Sequence, residues 1–449
     1  DYSLDRVQDL YEDQLARLER ETSSDGHRDA RLSLTPPQNH VPDPDPSADR
    51  DYDLPTNDPV DQAHIEEIRS YLDLVNYHVP RELQPGETPD IIVVMNETFS
   101  DMRALQPYET NTPVLPFYEN LYANTYKGVT HPSVVGGNTA TSEFEFLSGS
   151  SMAFLPPGAI AYQQYIQGPT PTLVSTLQEQ GYEAIAMHPY HAGGWKRNTV
   201  YPHFGFERIK FLNDFSNRDR LRDYISDAAL YDEIIDELDR PNPASDPRFV
   251  FTISMQNHGG YTKAFDNFDP QVEITDRKSS LALNNYLSLV RESDRALGEF
   301  MAELSQRESP TLVLFFGDHQ PNDFTARTLT SGLTSEEATE RRRETPFFLW
   351  ANYQLPGEPV DGLKTSLNFL PTHLLEAAQL ELTPWHAFLR EVSATIPAMN
   401  DAFYYLQDGE ARAYDEADLL PILQDYQILQ YNYLFDVDNR LEELFCPPE

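Results

Sequence analysis

At 449 residues, with 39% hydrophobic and 12% aromatic side chains, the chain can build one large α/β domain or two to three small ones, which excludes wholesale disorder and a coiled coil. Its 73 acidic against 33 basic residues give a formal net charge of −40. Such a surface repels phosphate backbones and acidic lipid headgroups, so no nucleic-acid partner is expected. Cys446 is the only cysteine, which excludes an intrachain disulfide and a Cys-based metal cluster.

The chain opens at Asp1 without the pattern of a signal peptide. Starting without Met, it reads as a processed or excised soluble part of something longer. Residues 1–88 form an acidic helical and linker segment. Leu4, Val7, Leu10, Tyr11, Leu15 and Leu18 recur at helical steps and predict a helix over Tyr2–Glu21. Seven prolines between residues 36 and 59 predict an extended linker, and a second helix fits Ala63–Tyr77.

From Pro89 the texture changes, and residues 89–345 are expected to form the catalytic domain. Ile91–Met95, Ala184–Met187, Phe249–Met255 and Thr311–Phe316 are short apolar runs suited to buried parallel strands. None approaches the roughly 18 apolar residues of a membrane span. Helical stretches lie between them at Thr139–Leu147, Thr172–Gln180, Asp227–Leu238 and Leu281–Leu304. This alternation predicts an α/β sandwich over a mostly parallel sheet. Residues 346–449 are expected to form a smaller C-terminal subdomain packing on it. A strand spans Phe347–Ala351, and helices cover Ser366–Leu380 and Ala417–Phe435, where the aromatic repeat (Tyr426, Tyr431, Tyr433, Phe435) reads as core.

In parallel sheets the ligand site lies beyond the carboxyl ends of the strands. Four strand ends here carry polar residues: Asn96-Glu97-Thr98, His188 with His191 nearby, Gln256-Asn257-His258, and Gly317-Asp318-His319. Four such sets converge on one place and predict a metal-centred site. Carboxylate oxygens with one imidazole suit Mn²⁺ or Mg²⁺, with Zn²⁺ as an alternative. For a nucleophile, Gly136-Gly137-Asn138-Thr139 is a glycine turn entering a helix. Thr139 reads as an N-cap, as a nucleophile, or as both, since the helix dipole favours an alkoxide there. Coordination to a divalent cation would lower its hydroxyl pKa further, so that no separate general base is required.

These segments resemble, in order, the motifs of lipoteichoic acid synthase-like phosphoglycerol transferases of the sulfatase/alkaline phosphatase-like superfamily: Asn96-Glu97-Thr98-Phe99, Gly137-Asn138-Thr139 with Glu143-Phe144, His188 to Arg197, Asn257-His258 and Gly317-Asp318-His319. The resemblance covers about residues 89 to 380. The stretch Ser142 to Gly158 looks closer to glycerol phosphate transferases that decorate streptococcal wall polysaccharides. The resemblance implies that Glu97, Thr139, Asp318 and His319 ligate one Mn²⁺, that Thr139 is the nucleophile, and that His258 contacts the phosphate or leaving oxygen. It also implies that Trp195 and Arg197 hold a glycerol phosphate headgroup, with His188 beside them. A guanidinium suits that task through paired hydrogen bonds. His191 and His203 read as structural, and Lys196 as solvated.

The implied donor is a phosphatidylglycerol-type lipid. The implied acceptor is a cell-wall glycan or teichoic acid-like polymer at the extracellular face of the bacterial cell membrane. Membrane association would run through an N-terminal transmembrane region outside this sequence. One departure is Asn138, where lipoteichoic acid synthases often have Lys; it bears on the substrate rather than on the reaction type. The competing readings are a phosphoethanolamine transferase or phosphodiesterase of the same superfamily, and a non-enzymatic glycan-binding wall protein. The former transferases are usually periplasmic, zinc-dependent and disulfide-rich, and the latter would be expected to have lost Thr139, Asp318 or His319. A formylglycine sulfatase lacks its (C/S)-x-P-x-R signature here.

Overall fold

The apolar runs pair side by side in a single sheet. The structure, a computed structural model, describes residues 2–23, 32–34, 52, 54, 59–415 and 418–448. Its strands are β1 (Asp90–Asn96), β2 (Thr125–Thr130), β3 (Glu183–His188), β4 (Arg208–Phe211), the short hairpin β5 (Arg220–Leu221) and β6 (Tyr224–Ile225), β7 (Arg248–Ile253), β8 (Thr311–Gly317), β9 (Thr345–Ala351) and β10 (Val360–Thr365). Eight of them form the central sheet in the order β10-β2-β9-β8-β1-β7-β3-β4. All pairings are parallel except those of β9 with β8 and β2. The expected mostly parallel α/β architecture is therefore present. Since β9 and β10 belong to this sheet, the division expected after residue 345 falls inside it.

Alternate residues of β1 serve two cores, because successive side chains of a strand point to opposite faces. Ile91, Val93 and Met95 face a layer that includes Phe144, Leu374 and Tyr426. Ile92 and Val94 face the helices Pro59–Asn76 and Leu281–Ser305. The sheet is thus covered on both sides, which explains why its central strands read as unbroken apolar runs.

Both helices of the acidic segment dock on the domain. Leu4–Ser23 lies against Pro384–Thr395 and Pro421–Leu434, tied by Arg6 to Asp425 at 2.7 Å and by Arg17 to Glu391 at 2.7 Å. Pro59–Asn76 packs on Leu281–Ser305, where Asp61 forms a buried ion pair with Arg291. It begins four residues before the predicted start, with a proline at its first position, where the missing N–H costs nothing. The proline-rich stretch 36–59 lies outside the described residues except for Tyr52, Leu54 and Pro59. The last long helix runs Pro421–Leu434, again opened by proline; Ala417, where it was expected to begin, lies outside the described residues.

The fold also makes a prediction about acid stability. His386 is buried, and burial pushes its imidazole down to about 3. A histidine depressed in this way stabilises the fold above the unfolded-state value near 6.5, and that stability is lost as the pH falls towards 3. Asp294 and Glu145, pushed up to about 8 and about 7 by burial, act in the opposite sense. The diagnostic is therefore a difference between variant and parent. His386→Gln should lose less melting temperature than the parent between pH 7 and pH 4, measured by thermal denaturation at each pH.

Candidate active site

The carboxyl ends of β8, β1, β7 and β3, four neighbours in the sheet, open on one place. Glu97 follows β1, and Asp318 and His319 follow β8. Ligand atoms of these three buried side chains lie within 4.8 Å of one another. The backbone is shaped to bring them together. Gly317 permits the crossing, since a Cβ there would stand 1.9 Å from the carbonyl oxygen of Phe99. Thr98 takes a positive φ of 52°, donates its N–H to Asp318 Oδ1 at 2.7 Å and its hydroxyl to Glu97 Oε1 at 2.7 Å. Such a conformation in a β-branched residue is strained and is held by the contacts around it.

Thr139 completes the group. It is the first residue of the helix Thr139–Ser148, and the cap position belongs to Asn138, which sits in the left-handed region at φ 66°. Thr139 is therefore not the N-cap. Its hydroxyl donates to Glu97 Oε2 at 3.1 Å rather than capping a backbone N–H, and the residue is only 7% exposed. The turn before it is held against β8's end by Gly136, whose N–H donates to the Gln320 carbonyl at 2.9 Å and whose φ is 71°. A Cβ at Gly136 would meet Asn322 Cα at 2.9 Å. Ser142, one turn on, donates its hydroxyl to the Asp318 carbonyl at 2.8 Å.

The donor set fits a divalent cation. Asp318 Oδ2 and His319 Nε2 face each other at 3.2 Å, both buried and neither making a hydrogen bond. The Gln320 carbonyl, 3.0 Å from His319 Nδ1, takes the ring proton on that side and leaves Nε2 with a free lone pair. Burial pushes the Asp318 carboxyl up, the neighbouring His319 pulls it partly back, and the Glu97 carboxylate adds repulsion; a bound cation would offset the burial and the repulsion. Among the described residues this is the one cluster of three or more such side chains.

The second row of groups is partly unexpected. His188, the last residue of β3, is buried; its Nδ1 faces the Ile253 carbonyl at 3.1 Å and its Nε2 accepts from Arg197 Nη1 at 3.1 Å. Burial, with the Arg197 charge next to it, holds this imidazole well below its ordinary range. Arg197 is not the free two-pronged clamp expected from the sequence. It is 2% exposed, and its Nε and Nη2 are committed to Glu143 in a bidentate ion pair. Glu143 also accepts from the hydroxyls of Tyr201 at 2.8 Å and Tyr162 at 3.3 Å. It lies four residues after Thr139, on the same face of the helix, and that spacing is the signal by which the sequence could have shown it. Trp195 is half-buried against the core at a positive φ of 54°. Lys196 is exposed, its ammonium donating to the Gln163 carbonyl; His191 is exposed and His203 half-buried.

His258 stands at the exposed edge after β7. The β5–β6 hairpin supports it: Tyr224 Oη lies 3.0 Å from His258 Nδ1, and Arg222 Nη2 donates at 2.7 Å to the carbonyls of both Gln256 and His258. Nothing in the hairpin's composition marks Tyr224 or Arg222 as neighbours of His258, since they are some 30 residues away and joined only by topology. Beneath the site, Asp227 accepts from Asn96 Nδ2 at 3.0 Å and from Ser293, while Asn257 reaches Asn96 at 3.3 Å. This buried polar network ties the ends of β1 and β7 together.

The sulfatase family model matches residues 89–379, and the chain belongs to that family. It is 30% identical over 80% of its length to the "Putative cyclic beta-1,2-glucan modification protein" of Rhizobium meliloti (strain 1021), of which it covers 56%. It is 27% identical over 45% of its length to lipoteichoic acid synthase of Staphylococcus saprophyticus, covering 29% of that protein. The chain thus spans about half the length, or less, of the curated relatives it matches. In fold it is similar to Streptococcus pyogenes phosphoglycerol transferase GacH in complex with sn-glycerol-1-phosphate, with a TM-score of 0.63 at 21% identity over 87% of this chain and 97% of the other.

Proposed function

We propose that this chain transfers a phosphoglycerol group from a phosphatidylglycerol-type lipid to a hydroxyl of a bacterial cell-surface glycan, through a covalent bond to Thr139. The observation that carries the reading is the Thr139 hydroxyl, buried and hydrogen-bonded to Glu97 in the cluster completed by Asp318 and His319. Glu97, Thr139, Asp318 and His319 would hold one divalent cation, Mn²⁺ in this reading. That ion supplies Lewis acidity, lowering the pKa of the hydroxyl and neutralising charge on the phosphoryl oxygens.

Thr139 Oγ1 loses its proton to solvent and forms a bond to phosphorus as the bond from phosphorus to the diacylglycerol oxygen breaks. His258 gives that oxygen a proton through Nε2. In the second step an acceptor hydroxyl returns a proton to His258, bonds to phosphorus, and displaces Thr139 Oγ1, which regains its proton from solvent. Tyr224 suits this two-way traffic, because its hydroxyl can either donate to His258 Nδ1 or accept from it, and so supports either tautomer. His188 and Trp195 would line the headgroup site. Arg197, with Nε and Nη2 held by Glu143, orients His188 and offers the headgroup Nη1 at most. The Rhizobium relative, whose name is that of a glucan modification protein, supports a glycan as acceptor. A catalytic domain on the outer face of the membrane would meet both lipid and glycan; none of the described helices is itself long and apolar enough to cross a membrane.

The test is to incubate the chain with phosphatidylglycerol vesicles and measure diacylglycerol release, with and without a glycan acceptor. Stripping divalent metal should abolish release, and Mn²⁺ should restore it better than Ca²⁺, which prefers six to eight oxygens at longer distance. Metal analysis should find one tightly bound ion per chain. Two would point to a paired-metal site instead. Tyr224→Phe should lower kcat about tenfold, the worth of one positioning hydrogen bond, while the KM for the lipid stays within about twofold.

A further inference from the structure

Besides accepting a proton, the second step needs the acceptor to lie in reach of His258, and the surface next to His258 is not plain. The ring of Tyr224 stands 5.3 Å from that of His258, Tyr190 stands 6.2 Å from Tyr224, and His191 stands 4.8 Å from Tyr190. Tyr190 lies two residues beyond the end of β3 and Tyr224 opens β6, so two separate parts of the chain build one arc of rings. Tyr190 and Tyr224 are half-buried, and His191 and His258 are exposed. Among the described residues the Tyr190 hydroxyl has no hydrogen-bond partner in the protein.

The cations near the arc are already engaged. Arg222 is buried behind it, against the rings of Tyr224, Tyr261 and Phe265. Lys263 pairs with Asp223 at 3.5 Å, and Lys196 donates to a backbone carbonyl. Among the described residues, the Lys and Arg side chains named here each have a protein partner, and a polyanionic acceptor would meet the field of a chain with net charge −40. A pyranose ring has a flat C–H face that fits an aromatic ring and equatorial hydroxyls that fit polar ring tips, which is the pairing that half-exposed tyrosines offer.

We propose that the arc His191–Tyr190–Tyr224 is the acceptor subsite and that it takes an uncharged glycan, whose reacting hydroxyl is thereby placed at His258. This rests on the acceptor-side role given to His258 above. The test is calorimetric binding, with no lipid donor present, of a neutral β-1,2-linked glucooligosaccharide and of a glycerol phosphate oligomer of similar length. The glucan should bind and the oligomer should bind more weakly, most clearly at low salt. Tyr190→Ala should weaken glucan binding about tenfold, whereas Tyr190→Phe, which keeps the ring face, should stay within about threefold. If Tyr190→Ala fails to fold, Tyr190→Leu removes the ring with less loss of volume, and the exposed His191→Ala tests the far end of the arc. No glucan binding by the parent, tighter binding of the anionic oligomer, or unchanged binding after loss of the Tyr190 ring would overturn the proposal. Because no covalent step is involved, failure here leaves the Thr139 reading to its own test.

Discussion

Thr139→Ala should fold like the parent and lose turnover by a factor on the order of 10³ or more, the scale on which removal of a catalytic nucleophile acts. The structure separates this outcome from a folding defect. Thr139 is not the cap of its helix, so the change removes no capping bond. What it removes is one hydrogen bond to the Glu97 carboxylate, worth about 1.5–3 kcal/mol at most against a domain stability of about 5–15 kcal/mol. Diacylglycerol release and a thermal melt on the same preparation check both halves. Thr139→Ser should recover part of the activity, because the hydroxyl remains. Residual activity above a few per cent in Thr139→Ala would assign the chemistry to another group.

The largest expected effect on stability comes from a residue that the motif reading quoted but gave no role. Glu143→Ala leaves the Arg197 guanidinium buried without its carboxylate and strips the Tyr162 and Tyr201 hydroxyls of their acceptor. Removing one partner of a buried pair costs about 3–5 kcal/mol, because the remaining charge is left unpaired in a dry environment. The melting temperature should fall sharply, and activity should fall with it as His188 loses the bond that orients it. Glu143→Gln, which keeps the shape and an acceptor, should be milder. Denaturant titration of both variants checks the order, and a Glu143→Ala protein as stable as the parent would mean that Arg197 can turn to solvent at no cost.

The central strands were legible because they are buried on both faces. Ile91–Met95 and Thr311–Phe316 have no polar alternation to obscure them, and the residues that follow them could be inspected at once. β2 escaped because Thr-Tyr-Lys-Gly-Val-Thr carries a lysine and a glycine. The structure buries that lysine by giving Lys127 the carbonyls of Tyr118 and Glu119 and the carboxylate of Asp361. The edge strands β4 and β10 were missed for a related reason: edges need not be apolar, and these carry Arg208, Lys210, Asp361 and Lys364. At the site, Glu97, Asp318 and His319 were legible because each follows an apolar strand, and the family resemblance joined Thr139 to them. The partners of the second row were not readable in that way. Arg197 offers five donors, and only the fold shows that Glu143 takes them on one side and His188 on the other.

Transfer through Thr139 requires a covalent bond between its hydroxyl oxygen and phosphorus, which intact-mass analysis can detect. The chain is incubated with Mn²⁺ and phosphatidylglycerol in the absence of any glycan, quenched in acid, and then digested to locate the adduct. The expected result is a mass gain of one phosphoglycerol group, carried on the peptide containing Thr139 and discharged when the neutral glycan is added before quenching. Diacylglycerol release with no adduct at any time, or an adduct on a peptide without Thr139, would contradict it.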